Sequence, residues 1–358
     1  MKNTQETAPP TPDSKPSDEA FTYELLKGHG RTDGTYKTSQ QLRMEYITLT
    51  DQLIDKIQGG AYRTNPETGQ VEKQPFDHVV FLDKSARPVA WLMQELWPKL
   101  AFDEDEKPTP MPTIDFLNID RHQWIDLMDV NGSGMLEVDH LPKHITRGLR
   151  SVFASPVVKH GIEKEIEAAA EEGVTLHPDS FLERFDTTPT LLDGKNVLIV
   201  DEVRSTGRTK DIAVKLLSAA FPTAHIEGTF WMSSQTARLT PKAGGIAFGN
   251  ADLPVWYRED TVLGRGIGDR QLESGVEPKS LTQKLGRYFL SSRLPEVDPL
   301  SLKLRRELHE LATNPDVPVR PSHYRDDYDE RMARLNPGKS PDEVEATIRA
   351  IHDQKERL

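Results

Sequence analysis

The sequence predicts an α/β fold with an open, mostly parallel sheet of about five strands flanked by helices. Three observations carry that expectation. Short apolar runs rich in β-branched and aromatic residues stand at 78–83 (HVVFLD), 113–120 (TIDFLNID), 195–202 (KNVLIVDE) and 225–232 (HIEGTFWM). Segments with helical spacing follow the first and third runs, at 88–100 and 211–221. The runs are almost continuously apolar, as in strands covered on both faces, and strands alternating with helices indicate parallel pairing. A fifth strand is expected from GIAFG or PVWY, between 245 and 257.

Residues 1–20 combine Pro, Ser, Thr and charge with almost no apolar side chain, and are read as a disordered tail. Leu42, Tyr46, Leu49, Leu53 and Ile57 recur at helical steps, so a helix is expected over 39–58, stopped by Gly59-Gly60. A turn-rich stretch, TNPETGQ, follows at 64–70. The main α/β domain is placed at 36–275, with an insertion at about 121–190 that carries a helix at 161–172. From 276 to 358 the strand signal disappears and a helical C-terminal extension is expected. Leu300, Leu304, Leu308 and Leu311 mark one of its helices. Ser340-Pro341-Asp342-Glu343 reads as a capping box with proline at the first helical position, opening a last helix to about 356. Trp91, Trp97, Trp231 and Trp256 fall inside expected elements and are read as core aromatics.

The chain has 358 residues, 45 of them Lys or Arg and 57 Asp or Glu, for a net charge of −12. That balance argues against nucleic acid as a bulk ligand. With no cysteine, disulfides, thiolate metal sites and cysteine nucleophiles are excluded. No apolar run approaches membrane-spanning length and no signal-peptide segment opens the chain, so a soluble cytoplasmic protein with no membrane partner is expected.

The informative segment is VLIVDEVRSTGRT, 197–209. A buried strand ends in two acids, Asp201 and Glu202. A loop with two hydroxyls and a glycine follows, and then a helix begins. Amides of Ser205, Thr206, Gly207, Arg208 and Thr209 at a helix N-terminus suit a phosphate, assisted by the helix dipole. Gly207 permits close approach. The acids, at the carboxyl end of a strand, can accept hydrogen bonds from a vicinal diol. Together these features suit a phosphorylated sugar.

This segment resembles the signature of the type I phosphoribosyltransferase family: four apolar residues, two acids, two variable residues, then Ser/Thr-Thr-Gly-x-Thr. Every fixed position is matched. The resemblance covers roughly 76–260 and implies the Rossmann-like fold of that family. It implies that Asp201 and Glu202 hold the ribose hydroxyls of phosphoribosyl pyrophosphate (PRPP) and act in catalysis, while Ser205, Thr206, Gly207, Arg208 and Thr209 hold its 5′-phosphate. The family's pyrophosphate loop follows its first core strand, which here gives Lys84, Ser85 and Arg87; arginine and lysine suit that anion. The usual glycine of that loop is absent. The implied activity is transfer of the phosphoribosyl group to a nitrogen of a small base-like acceptor, with pyrophosphate released and Mg²⁺ bound mainly through PRPP. The third residue after the acid pair is Ser205 where the 6-oxopurine members carry aspartate, which argues against hypoxanthine or guanine. The alternative reading is a non-catalytic or partner-controlled PRPP- or nucleotide-binding regulatory or effector module on the same fold. The extension 276–358 would then contact a regulatory protein, or a second copy in a homo-oligomer.

Several other signals are weaker. DVNGSGMLEVDH (129–140) resembles a calcium loop but places His140 where a bidentate glutamate is needed, and is read as a glycine-rich turn. His140 and His144 are read as a surface pair. By the same family analogy this region is a mobile loop over the reacting centre, with Lys143, Arg147 and Arg150 as candidates to reach pyrophosphate. LGRGIGDR (263–270) is either a ligand-covering loop or a plain connection.

Overall fold

A computed structural model describes residues 39–64, 68–83, 86–103, 105–119, 143–173, 183–204, 207–233, 299–313, 321 and 328–355. Helix α1 (Ser39–Gly59) leads into a hairpin of β1 (Ala61–Thr64) and β2 (Val71–Gln74), so the turn-rich stretch is a hairpin connection. Gly60 between helix and hairpin has φ +65, and a Cβ there would stand 1.8 Å from the Gln74 carbonyl oxygen; only glycine fits.

The central layer is a four-stranded sheet of β3 (His78–Asp83), β4 (Thr113–Asn118), β5 (Asn196–Arg204) and β6 (His225–Ser233). Its order is β4-β3-β5-β6 and every pairing is parallel. The four expected strands are thus present as a mixed α/β sheet. Both segments offered for the fifth lie outside the described residues.

Helix α2 (Arg87–Leu100) connects β3 to β4. Helices α3 (Lys143–Val152) and α4 (Pro156–Glu171) stand in the insertion, and a 3-10 turn (Glu183–Asp186) precedes β5. Helix α5 (Arg208–Ala220) connects β5 to β6. From β3 the chain steps outward to β4, and from β5 it steps outward in the other direction to β6. Right-handed crossovers therefore place α2 and α5 on opposite faces of the sheet.

The core confirms this layering residue by residue. Val79 and Phe81 of β3, with Leu198 and Val200 of β5, pack against α1, α2 and Leu304, Leu308 and Leu311. Their alternates, Val80, Leu82, Val197 and Ile199, pack against Ile145 and Leu149 of α3 and Ile212, Leu216 and Leu217 of α5. Both faces of the strands are covered, which is why their sequences are continuous apolar runs. Trp97 and Trp231 are buried in this core, and the Trp231 indole donates to the Thr50 hydroxyl at 3.1 Å.

The C-terminal helices are α6 (Pro299–Thr313), α7 (Tyr328–Leu335) and α8 (Pro341–Lys355). They share the core of the α/β unit. Arg331 of α7, fully buried, pairs with Asp51 at 3.0 Å and Asp55 at 2.6 Å of α1, and donates to the Leu100 carbonyl at 2.7 Å. Arg43 of α1 donates to the Leu311 carbonyl at 2.8 Å. Among the described residues no helix is long and apolar enough to cross a membrane.

Candidate functional site

Pairing between the two central strands ends early. The last β3–β5 partners are Phe81 and Val200; beyond them β3 continues to Asp83 against β4 alone, and β5 continues to Arg204 against β6 alone. The sheet therefore opens between β3 and β5 at their carboxyl ends. Those are also the two strands from which the chain departs in opposite directions, so the opening is a topological switch point, where open α/β sheets bind ligands.

Asp201 and Glu202 stand on one wall of that opening. The apolar run Val197–Val200 is buried, which fixes the strand, and the acids follow at its end. Glu202 is 3 % exposed, and its amide donates to Asp201 Oδ1 at 3.1 Å. Burial pushes the Asp201 carboxyl above the ordinary carboxylate range; hydrogen bonding with Glu202 and the charge of Lys210 pull in the opposite direction. Asp201 is partly buried and Glu202 buried; each is acceptor-only when ionised and gives up part of that capacity to an O–H donor when protonated.

The loop then turns into α5 through Gly207, the N-cap, with φ +78 and ψ −2. A Cβ at 207 would lie 3.3 Å from Cζ of Phe230. Glycine is thus fixed by the left-handed backbone and by a tight neighbour. With no side-chain oxygen of its own, it leaves the first-turn amides to another acceptor. Arg208 and Thr209 are the first residues of the helix, so the expected phosphate amides and the acid pair flank the same strand end.

Ser205, Thr206, Lys84 and Ser85 lie outside the described residues, as do the loops 129–140 and 263–270, His140 and Trp256. The structure places Arg87 at the first turn of α2, directly after β3, with its guanidinium 4.2 Å from the ring centroid of Phe116 on β4. It stacks on the β4 side of the sheet.

Arg147 and Arg150 are corrected by the structure. Arg147 makes a two-pronged contact with Asp186, with hydrogen bonds of 2.7–3.0 Å, and also pairs with Glu183. Arg150 donates to the carbonyls of Phe185, Thr188 and Ala220 and pairs with Asp193. Ala220 ends α5, whose 13 residues run about 20 Å from Gly207. Arg150 therefore belongs to the opposite end of the sheet from the acid pair and ties the insertion to the core there.

Lys210, one residue past the matched motif, belongs to the site and was not singled out in the sequence. Its side chain lies against Gly228 and Phe230 of β6, and its charge acts on Asp201. A cation in the first turn of a helix, where acids are favoured, was the available signal. Among the described residues no group of three acids or histidines converges to hold a metal ion.

No protein-family profile matches the chain, and no curated protein matches it significantly.

Proposed function

We propose that the chain is a PRPP-dependent phosphoribosyltransferase, with the ribose 5-phosphate moiety seated between the carboxyl ends of β3 and β5. One observation carries this reading: the matched segment 197–209 falls at the switch point, with its acids on the strand end and its glycine as the N-cap of the following helix. In this reading the sheet belongs to the Rossmann-like class of that family. Asp201 and Glu202 accept hydrogen bonds from the ribose hydroxyls, and the amides of the loop and first helical turn receive the 5′-phosphate. Lys84, Ser85 and Arg87, which follow β3 in the sequence, are assigned to the pyrophosphate.

The chemistry asked of these residues is positioning and charge stabilisation as C1 of the ribose gains oxocarbenium character and a nitrogen of the acceptor attacks. In this reading Mg²⁺ would be held mainly by the substrate's phosphate oxygens, as is usual for this ion at phosphate sites. Mg²⁺ bound in that way would neutralise charge on the pyrophosphate leaving group.

A second reading, a PRPP- or nucleotide-binding regulatory module, is favoured by the commitment of Arg147 and Arg150 to structural partners. These two cations of the insertion do not serve the leaving group. A screen for PRPP-dependent pyrophosphate release across purines, pyrimidines and small amines separates the readings. Release with one acceptor supports the transferase. PRPP binding without release for any acceptor supports the module, and absence of PRPP binding overturns the transferase and the PRPP-binding form of the module.

A further inference from the structure

Lys210 occupies a position that phosphate binding at the loop amides does not explain. It is the third residue of α5, where the helix dipole disfavours a cation. The fold nevertheless builds a seat for it. A Cβ at Gly228 would stand 2.8 Å from Lys210 Cδ and 2.9 Å from its Cγ, so the absence of a side chain at 228 makes room for the lysine stem. The side chain is 18 % exposed, and its ammonium sits 3.0 Å from Asp211 Oδ1 and 5.0 Å from the Phe230 ring centroid. Phe230 is the cross-strand partner of Asp201 in β6.

We propose that Lys210 is a positioning residue for the sugar-diol end of the site, keeping Asp201 ionised beside Glu202 so that it can accept hydrogen bonds from vicinal hydroxyls. The inference rests on the phosphoribosyl reading of the site. Two neighbouring carboxyl groups in a poorly solvated place tend to share one proton, and a protonated acid loses acceptor capacity. A cation held nearby shifts that balance toward the charged form. Among the described residues, the groups around Asp201 are Glu202 on its own strand, Lys210 on α5 with Asp211 behind it, and Phe230 on β6; β3 on the other side ends at Asp83. Lysine supplies the positive charge from this side.

Lys210→Met keeps an unbranched stem over Gly228 and removes the charge. Affinities for ribose 5-phosphate and for ethyl phosphate, which has no diol, are measured by calorimetry from pH 6 to pH 8.5. Within that range the variant should bind ribose 5-phosphate more weakly than wild type, with the deficit largest at the acid end and shrinking as pH rises, and ethyl phosphate should be unaffected. Equal weakening for both ligands would place Lys210 on the phosphate and overturn the role. So would unchanged ribose 5-phosphate affinity. A ligand-free measurement keeps the two layers apart: Asp201→Asn should raise the melting temperature more in the Lys210→Met background than in the wild-type chain. Equal shifts would show that Lys210 does not act on Asp201, and the role falls even if the sugar binds. If the wild-type chain binds neither phosphate, the phosphoribosyl reading falls and takes the role with it, even where the melting shifts differ.

Discussion

Asp201 is a residue whose placement costs stability. Its carboxyl is pushed above the ordinary carboxylate range by burial, whereas in the unfolded chain it titrates near the usual value of about 3.9. Stability from this group is thus fully present below the unfolded value and is lost as pH rises through the folded one. Asp201→Asn should therefore melt a few degrees higher than wild type at about pH 7, with the difference vanishing near pH 4. Melting curves at both pH values check this; a lower melting temperature at neutral pH would contradict it. Gly207 makes the opposite prediction. At φ +78, with Phe230 at 3.3 Å from a would-be Cβ, Gly207→Ala should cost about 1–3 kcal/mol, read from denaturant unfolding. That cost means a loss of phosphate affinity in a Gly207 variant counts only when measured on folded protein. At this scale the positions of Asp201, Glu202 and Gly207 were legible because they follow from local order: strand, acids, glycine, helix. Lys210 was not, because its seat is made by Gly228 on another strand.

Elements were legible where the signal was local. The last helix was read from Ser340 to Glu343, and the structure completes that capping box: the Ser340 amide donates to Glu343 Oε2 at 2.7 Å and the Glu343 amide to Ser340 Oγ at 3.3 Å. Helix α3 was missed for the converse reason. It buries only a narrow stripe around Ile145 and Leu149, and its arginines are satisfied by Asp186 and Asp193, some forty residues later. The β1–β2 hairpin was seen only as a turn, since its short strands are mostly polar and carry no alternating apolar face. Among the C-terminal helices, Arg331 of α7 gives the clearest test. Arg331→Ala would leave Asp51, itself fully buried, and Asp55 without this cation, at a cost of about 3–5 kcal/mol. Arg331→Met combined with Asp51→Asn should recover part of that loss. Urea unfolding of the single and double variants decides it; a double variant worse than the single would show that the pair is not the issue.

At the scale of the whole molecule, the sheet order was not in the sequence. Four parallel strands can be arranged in several ways, and the order β4-β3-β5-β6 makes β3 and β5 neighbours from which the chain departs in opposite directions. Leu304, Leu308 and Leu311 of α6 complete the core face formed by α1 and α2. Deleting 299–358 should thus abolish cooperative unfolding, whereas deleting 1–20, whose composition offers nothing to pack, should leave the melting temperature and ligand affinity unchanged. Thermal scans of the two truncations distinguish these outcomes.

The most direct test is a calorimetric titration of PRPP with Mg²⁺ into the wild-type chain and into the double variant Asp201→Asn, Glu202→Gln, with circular dichroism confirming that both are folded. Binding at a single site in the wild type, weakened at least about 10-fold in the double variant, is the predicted result, since hydrogen bonds to charged groups are worth roughly 1.5–3 kcal/mol each. Equal affinity in the two folded proteins would contradict the placement of the sugar at the end of β5.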